Sequence, residues 1–300
     1  VSYKINPLLA KADWYMKWGA SGDIRPYVYV RPDNKINQPG SRHKLDWFPM
    51  DPVILNPLDI GTLDFAEQIY HIEERAFGPA NMAMPRWVFY DCAVLPGFVG
   101  GFAMRTGKLP KSIRDVMKVS TKLEWTPLSL FIIIPTMAKG QWVAHNLCAV
   151  NSLLPENERF YGLGFLSKAF SLWYANVESC LGMTQWGNPA IKLHTHYGPM
   201  QIFTAYTPVH SHAKTLTYRV EVDTLSWEQF FTREPDLKFL ENHEATSLVL
   251  DPTSEQSMID LHLRIQNGEG PFYLSAADIA SKKLTEVLQV YRLKELTPKG

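Results

Sequence analysis

Apolar residues at Phe65, Ile69, Ile72 and Ala76 recur at the spacing of one helix face. The stretch Asp64–Phe77 also opens on a D-x-x-E capping pattern (Asp64, Glu67) and stops at Gly78 and Pro79, which predicts an α-helix. Trp87–Val94 (WVFYDCAV) is β-branched and aromatic and predicts a strand, whereas Pro110–Val119 predicts a short helix with proline in its first turn. From Leu128 the pattern changes to short β-type runs, SLFIIIP, QWVAHNLCAV, AIKLHTHYG, QIFTAYTPV and TLTYRVEVD, separated by Gly, Pro and Asn. Two further helices are expected, Ser226–Thr232 behind a serine cap and Ser275–Leu293, the second with Ala280, Leu284, Val287, Leu288 and Tyr291 at helical spacing. The first 58 residues, rich in Trp, Pro and polar turn signals, suggest an irregular N-terminal arm or subdomain, with residues 59–300 as the main domain. The expected fold class is α+β: a curved, mostly antiparallel β-sheet or open cone-like β-barrel with packed helices and an irregular N-terminal extension.

Composition narrows the partners. Three hundred residues with 46% hydrophobic content can bury a large core. Thirty basic and thirty acidic residues balance, so no chain-wide cationic field exists to hold a nucleic acid. Cys92, Cys148 and Cys180 are odd in number and outside any CxxC pair, which argues against a disulfide framework or structural zinc and for a cytoplasmic, reducing setting. The strongest apolar run, Leu128–Pro135, is far short of the roughly 20 residues of a membrane helix. The start carries no signal-peptide pattern, although Val1 in place of methionine leaves room for a trimmed leader. The expected partner is a small-molecule substrate or ligand, without nucleic acid, membrane or cofactor, and a homo-oligomer remains open.

Two constellations could carry chemistry. His194 with His196 and His210 with His212 form His-x-His pairs; on strands, alternation would place each pair on one face, about 6.6 Å apart, close enough to share a metal. Simple hairpin registers keep the two pairs apart, so a site would need His194, His196 and a carboxylate from elsewhere. The alternative is a set of hydrogen-bonding histidines on a polar strand face. The second constellation is Glu156–Tyr174 (ENERFYGLGFLSKAFSLWY), where Lys168 is a single lysine among aromatic and glycine residues. Desolvation there would favour its neutral amine, the form that attacks carbonyls; the alternative is an aliphatic stem along the core with the ammonium in water. Gly162 and Gly164 make only G-x-G, without a phosphate-binding continuation, and the three cysteines are expected to be core residues. No G-x-S-x-G, HExxH, Walker or EF-hand pattern occurs.

The stretch from Leu128 to Val209, with SLFIIIP, then QWVAHNLCAV, then GFLSK and further strands, resembles the acetoacetate decarboxylase-like superfamily. Gly164 and Phe165 match that family's Gly-Phe-Pro-Lys-Lys, Leu166 stands at the proline, and an ungapped alignment sets Ser167 at the nucleophile and Lys168 at its helper. The resemblance implies a conical barrel and a decarboxylase or aldolase-type lyase acting on a small oxo acid through a Lys168 Schiff base. Glu158 or Glu124 would then shuttle protons and Arg159 hold the carboxylate. Two other functions fit the residues: a non-catalytic binder of an apolar or aromatic molecule in a barrel cavity, and a metal-dependent enzyme using His194 and His196.

Overall fold

The computed structural model describes residues 14, 21–38, 52–209, 212–232 and 239–295. The chain forms two compact units, Val1–Val177 with Trp227–Glu234, and Glu178–Ser226 with Pro235–Gly300.

In the first unit the elements are β1 (Ile24–Tyr29), β2 (Val53–Leu55), α1 (Leu63–Phe77), α2 (Arg86–Val94), β3 (Phe98–Arg105), α3 (Lys111–Met117), β4 (Trp125–Pro127), β5 (Ser129–Pro135), β6 (Gln141–Ala149) and α4 (Leu163–Tyr174). Strands run in the order β2-β1-β3-β5-β6, with β4 also on β3; β1 and β2 are parallel and the other pairs antiparallel. Helix α1 forms where expected, but its cap is Thr62, with no side-chain bond, and Asp64 sits inside the first turn, where a negative charge favours the helix dipole. The preceding turn is held by Asp59, whose side chain accepts from Gly61 N at 2.9 Å.

Trp87–Val94 is helical, not extended. Pro85 precedes the first turn, and the buried residues Phe89, Cys92 and Ala93 fall at helical intervals while Trp87 and Tyr90 face water. The β propensity of the run yields to that one-sided burial.

Small residues meet where helix α4 packs on the sheet. Phe102 N donates to Ser129 Oγ (3.0 Å), Ser129 and Ser167 hydroxyls bond at 2.7 Å, and Ser167 Oγ donates to Leu163 O (2.6 Å). Since Ser167 spends its proton on Leu163, Ser129 must be the donor to Ser167. A Cβ on Gly100 would sit 2.5 Å from Ser171 Oγ, so the approach of α4 to β3 requires glycine. These contacts fix the position of α4 and therefore of its first turn.

The second unit contains β7 (Ser179–Gln185), α5 (Ala190–His194), β8 (Met200–Thr204), β9 (Thr215–Glu221), β10 (His243–Leu250), α6 (Glu255–Gln266), β11 (Phe272–Leu274), α7 (Ala276–Ser281) and β12 (Leu288–Leu293). Its strands run β10-β12-β11-β8-β9-β7 in antiparallel pairs. The expected strand AIKLHTHYG is instead α5 followed by a 3-10 turn, because Asn188 Oδ1 accepts from Ala190 N (2.9 Å) and Pro189 caps the turn. The expected long helix Ser275–Leu293 ends at Ser281. Its second half pairs as β12, where Gln289 N donates to Asp278 Oδ2 (3.0 Å) and Val290 is fully buried.

Neither set of strands closes on itself. Among the described residues β2 pairs only with β1, and β10 only with β12, so the architecture is α+β with mixed, open sheet and packed helices, and the cone-like barrel is corrected. No helix among the described residues is long and apolar enough to cross a membrane.

Candidate functional site

The register of β5 with β6 breaks in one place. Phe131 pairs with Leu147 and Ile133 with Ala144, so β6 spends three steps against two on β5 and carries one extra residue at His145–Asn146. A bulge of this kind interrupts strict alternation and re-aims side chains. Here it lets neighbouring residues touch: His145 Nδ1 and Asn146 Oδ1 lie 3.0 Å apart. Asn146 Nδ2 in turn donates to Glu73 Oε1 on α1 (2.8 Å), which also accepts from Met84 N (3.0 Å). Glu73 is fully buried, and its Oε2 has no hydrogen-bond partner. Burial raises the Glu73 carboxyl above its ordinary range, against the opposing pull of the Met84 N–H and the Asn146 amide. His145 is exposed and Asn146 half-buried, so the chain of contacts runs from solvent to interior.

Beyond β6 the backbone turns through Val150–Leu153 and Glu156–Glu158 into the loop that opens α4. Asn151 clamps this loop: its Nδ2 donates to Phe160 O (2.7 Å) and its Oδ1 accepts from Phe160 N (2.8 Å). Trp14 Nε1 donates to Tyr161 O at 2.9 Å. Gly162 then caps α4 at φ 75°, ψ 0°, in the left-handed region, with no side-chain bond to the helix. The first turn of any α-helix presents N–H groups without carbonyls one turn back, at the positive end of the dipole. Arg159, exposed beside this turn, is steadied by its Nε donating to Leu154 O at 3.2 Å.

The residues singled out in the sequence are distributed differently. Lys168 is on α4, fully buried, with Nζ 5.8 Å from the Phe131 ring centroid. Glu158 and Arg159 are exposed on the loop, and Glu124 is exposed and bonded to Arg105 at 3.2 Å. His194 and His196 are not on a strand: they end α5 and enter the 3-10 turn, where two residues advance the direction of a side chain by about 200° rather than returning it to the same face. The His194 ring packs on Tyr218 at 5.2 Å and His196 Nδ1 meets Lys192 O at 2.5 Å. No group of three or more His, Cys, Asp or Glu able to hold a metal occurs among the described residues. The metal alternative is corrected accordingly. His210 lies outside the described residues.

Cys92 and Cys180 are buried, and Cys148 is half-buried. Burial pushes the Cys92 thiol up to about 11 from 9.0, with the Asp91 charge adding to the rise. Two pH units mean about a hundredfold less thiolate. Alkylation of Cys92 by iodoacetamide at pH 8, followed by peptide mass spectrometry, is therefore expected to run about a hundredfold slower in the native chain than in urea.

His145, Asn146, Glu73 and Asn151 escaped the sequence reading. One signal was available, the polar pair His-Asn inside the apolar run QWVAHNLCAV, where alternation fails.

No family model matches the chain, and no curated protein matches it. Solved structures similar to it include the ribosomal-protein-S18-alanine N-acetyltransferase from Escherichia coli, at 16% identity over 52% of this chain and 87% of that one, with a TM-score of 0.35. FeeM, an N-acyl amino acid synthase from uncultured soil microbes, is similar at 11% identity over 57% and 88%, with a TM-score of 0.36. The NatC complex bound to Gag peptide and CoA is similar at 11% identity over 55% and 96%, with a TM-score of 0.35.

The acetoacetate decarboxylase-like resemblance is corrected, because the conical barrel it implies is absent: the sheet is open, and GFLSK lies within a helix. The Schiff-base lyase falls with it, and the apolar-ligand binder loses the barrel cavity it required.

Proposed function

We propose that this chain transfers an acyl group from a thioester donor bearing a pyrophosphate, of the coenzyme A kind, to an amine. The similar structures above are named for N-acyl transfer or for bound CoA. The observation that carries the reading is internal to the chain: a glycine-capped helix start, clamped by Asn151, is the next helix after a bulged strand, joined to it by a loop with two 3-10 turns.

Each part has a task. The N–H groups of the first turn of α4 that no carbonyl claims, Gly164 among them, face an anion, and the left-handed angle of the glycine cap holds the loop in the course that aims them. Arg159 adds a charge-assisted donor from the loop side. The bulge at His145–Asn146 lies about four residues before the end of β6, or ~13 Å back along the strand at the usual rise. An extended donor held by its phosphates at α4 and lying back along β6 would present its thioester at the bulge. Bulges leave backbone groups outside the ladder, and such groups can bond the amides of the donor's arm.

Calorimetric titration of CoA into the full chain tests this. One site of micromolar affinity is expected. Asn151→Ala, which frees the Phe160 backbone, is expected to weaken binding about tenfold, the effect of losing roughly 1.4 kcal/mol of preorganisation. No binding at millimolar CoA would overturn the proposal.

A further inference from the structure

We infer that His145 is the general base that deprotonates the acceptor amine, held in the required tautomer by Asn146 and Glu73. The inference rests on the acyl-transfer reading and adds to it the group that moves the proton.

The tautomer follows from the bonds. Glu73 Oε1 accepts from Met84 N at 3.0 Å, and the oxygens of a carboxylate have only acceptor capacity. The Asn146 atom 2.8 Å from it must therefore be the donating Nδ2, which turns Oδ1 toward His145. An amide oxygen can only accept, so His145 Nδ1 carries the hydrogen. Nε2 is left with its lone pair on an exposed ring at the bulge. This is the logic by which a carboxamide orients a catalytic imidazole in cysteine proteases, although the residues here lie in a different arrangement.

Glu73 is otherwise hard to explain. A fully buried carboxyl with an unpartnered oxygen is costly to the fold. An apolar residue at position 73 would avoid that cost but would leave the Asn146 amide free to flip. Glu73 and Asn146 are positioning residues, and His145 is the catalytic one.

The step balances. Nε2 takes one proton from the ammonium of the acceptor, and the freed lone pair attacks the thioester carbonyl, forming C–N as the C=O pair moves to oxygen. That pair returns, the C–S bond breaks, and the departing sulfur takes a second proton from nitrogen. Amide and thiol result, and His145 releases its proton to solvent.

Two measurements on the full chain test the assignment. In 15N NMR of histidine-labelled protein above the imidazole pKa, His145 should show Nδ1 protonated and Nε2 bare, and Asn146→Ala should shift the balance toward the other tautomer. In thiol release from acetyl-CoA with a panel of primary amines, His145→Gln should lower kcat about 100-fold with the KM for acetyl-CoA within twofold of the parent. Asn146→Ala should lower kcat about tenfold with the same KM. Protonated Nε2 in the parent, or more than a third of kcat retained by His145→Gln, overturns the assignment while leaving donor binding standing. Failure of the parent to bind acetyl-CoA overturns the acyl-transfer reading itself, and binding without turnover of any primary amine overturns the base.

Discussion

Replacing Gly162 by valine is expected to weaken acetyl-CoA binding at least tenfold. At φ 75° the cap lies in the left-handed region, where an ordinary residue costs about 1–2 kcal/mol and a β-branched one more. Rotation of the cap relieves that strain but turns the peptide planes on either side of it. Leu163 N donates to Phe160 O at 3.1 Å and Leu166 N to Gly162 O at 2.9 Å, so both flanking bonds would be disturbed along with the N–H groups that face the donor. Asparagine tolerates the left-handed region, so Gly162→Asn should bind within about threefold of the parent. Titration calorimetry separates the two variants, and melting should show Gly162→Val lower by only about 2–8 °C. Equal affinity for parent and valine variant would mean that the cap does not face the donor.

A large effect on stability is expected at Gly101, where alanine should cost about 3 kcal/mol, at the upper end for overpacking. A Cβ there would sit 2.3 Å from Ser129 O and 2.9 Å from its carbonyl carbon, both backbone, and 3.0 Å from the Tyr27 ring. None of these can swing aside. The same carbonyl accepts from the Tyr27 hydroxyl at 2.7 Å, and the Ser129 hydroxyl anchors α4, so displacement would loosen β1, β5 and α4 together. For a unit of this size the melting temperature should fall by about 6–12 °C. Melting within 2 °C of the parent would show that the strands separate more easily than the contacts imply.

Much of the fold could be read in the chain, and the exceptions share a cause. The period of Phe65, Ile69 and Ile72 found α1, and the runs SLFIIIP, QWVAHNLCAV and TLTYRVEVD found β5, β6 and β9, because in each the local pattern and the final burial agree. Trp87–Val94 and AIKLHTHYG carry strand-like composition, but a proline and one buried face made them helical. At Ser275–Leu293 helical spacing was present, yet pairing of β12 with β10 and β11 won. Those outcomes depend on partners distant in the chain.

The site was less legible for the same reason. Gly162-Leu-Gly164 was seen, but its left-handed angle and the Asn151 clamp are properties of the folded loop, not of a motif. His145 stood in plain view inside a strand, whereas Glu73 is 73 residues from Asn146 and indistinguishable from any other acidic helix position until α1 docks on the sheet. Lys168 drew attention by its apolar neighbours, and burial alone gives it no reaction.

The central claim is that the first turn of α4 holds the donor's phosphates. Amide 1H–15N spectra of the full chain during titration with CoA test it most directly. The account predicts that the Gly162 and Gly164 amides shift earliest and furthest and saturate together at one equivalent site, whereas Leu163 N–H, already bonded to Phe160 O at 3.1 Å, moves less. Amides of this turn that stay in place while CoA binds elsewhere, or that never move at millimolar CoA, would contradict it.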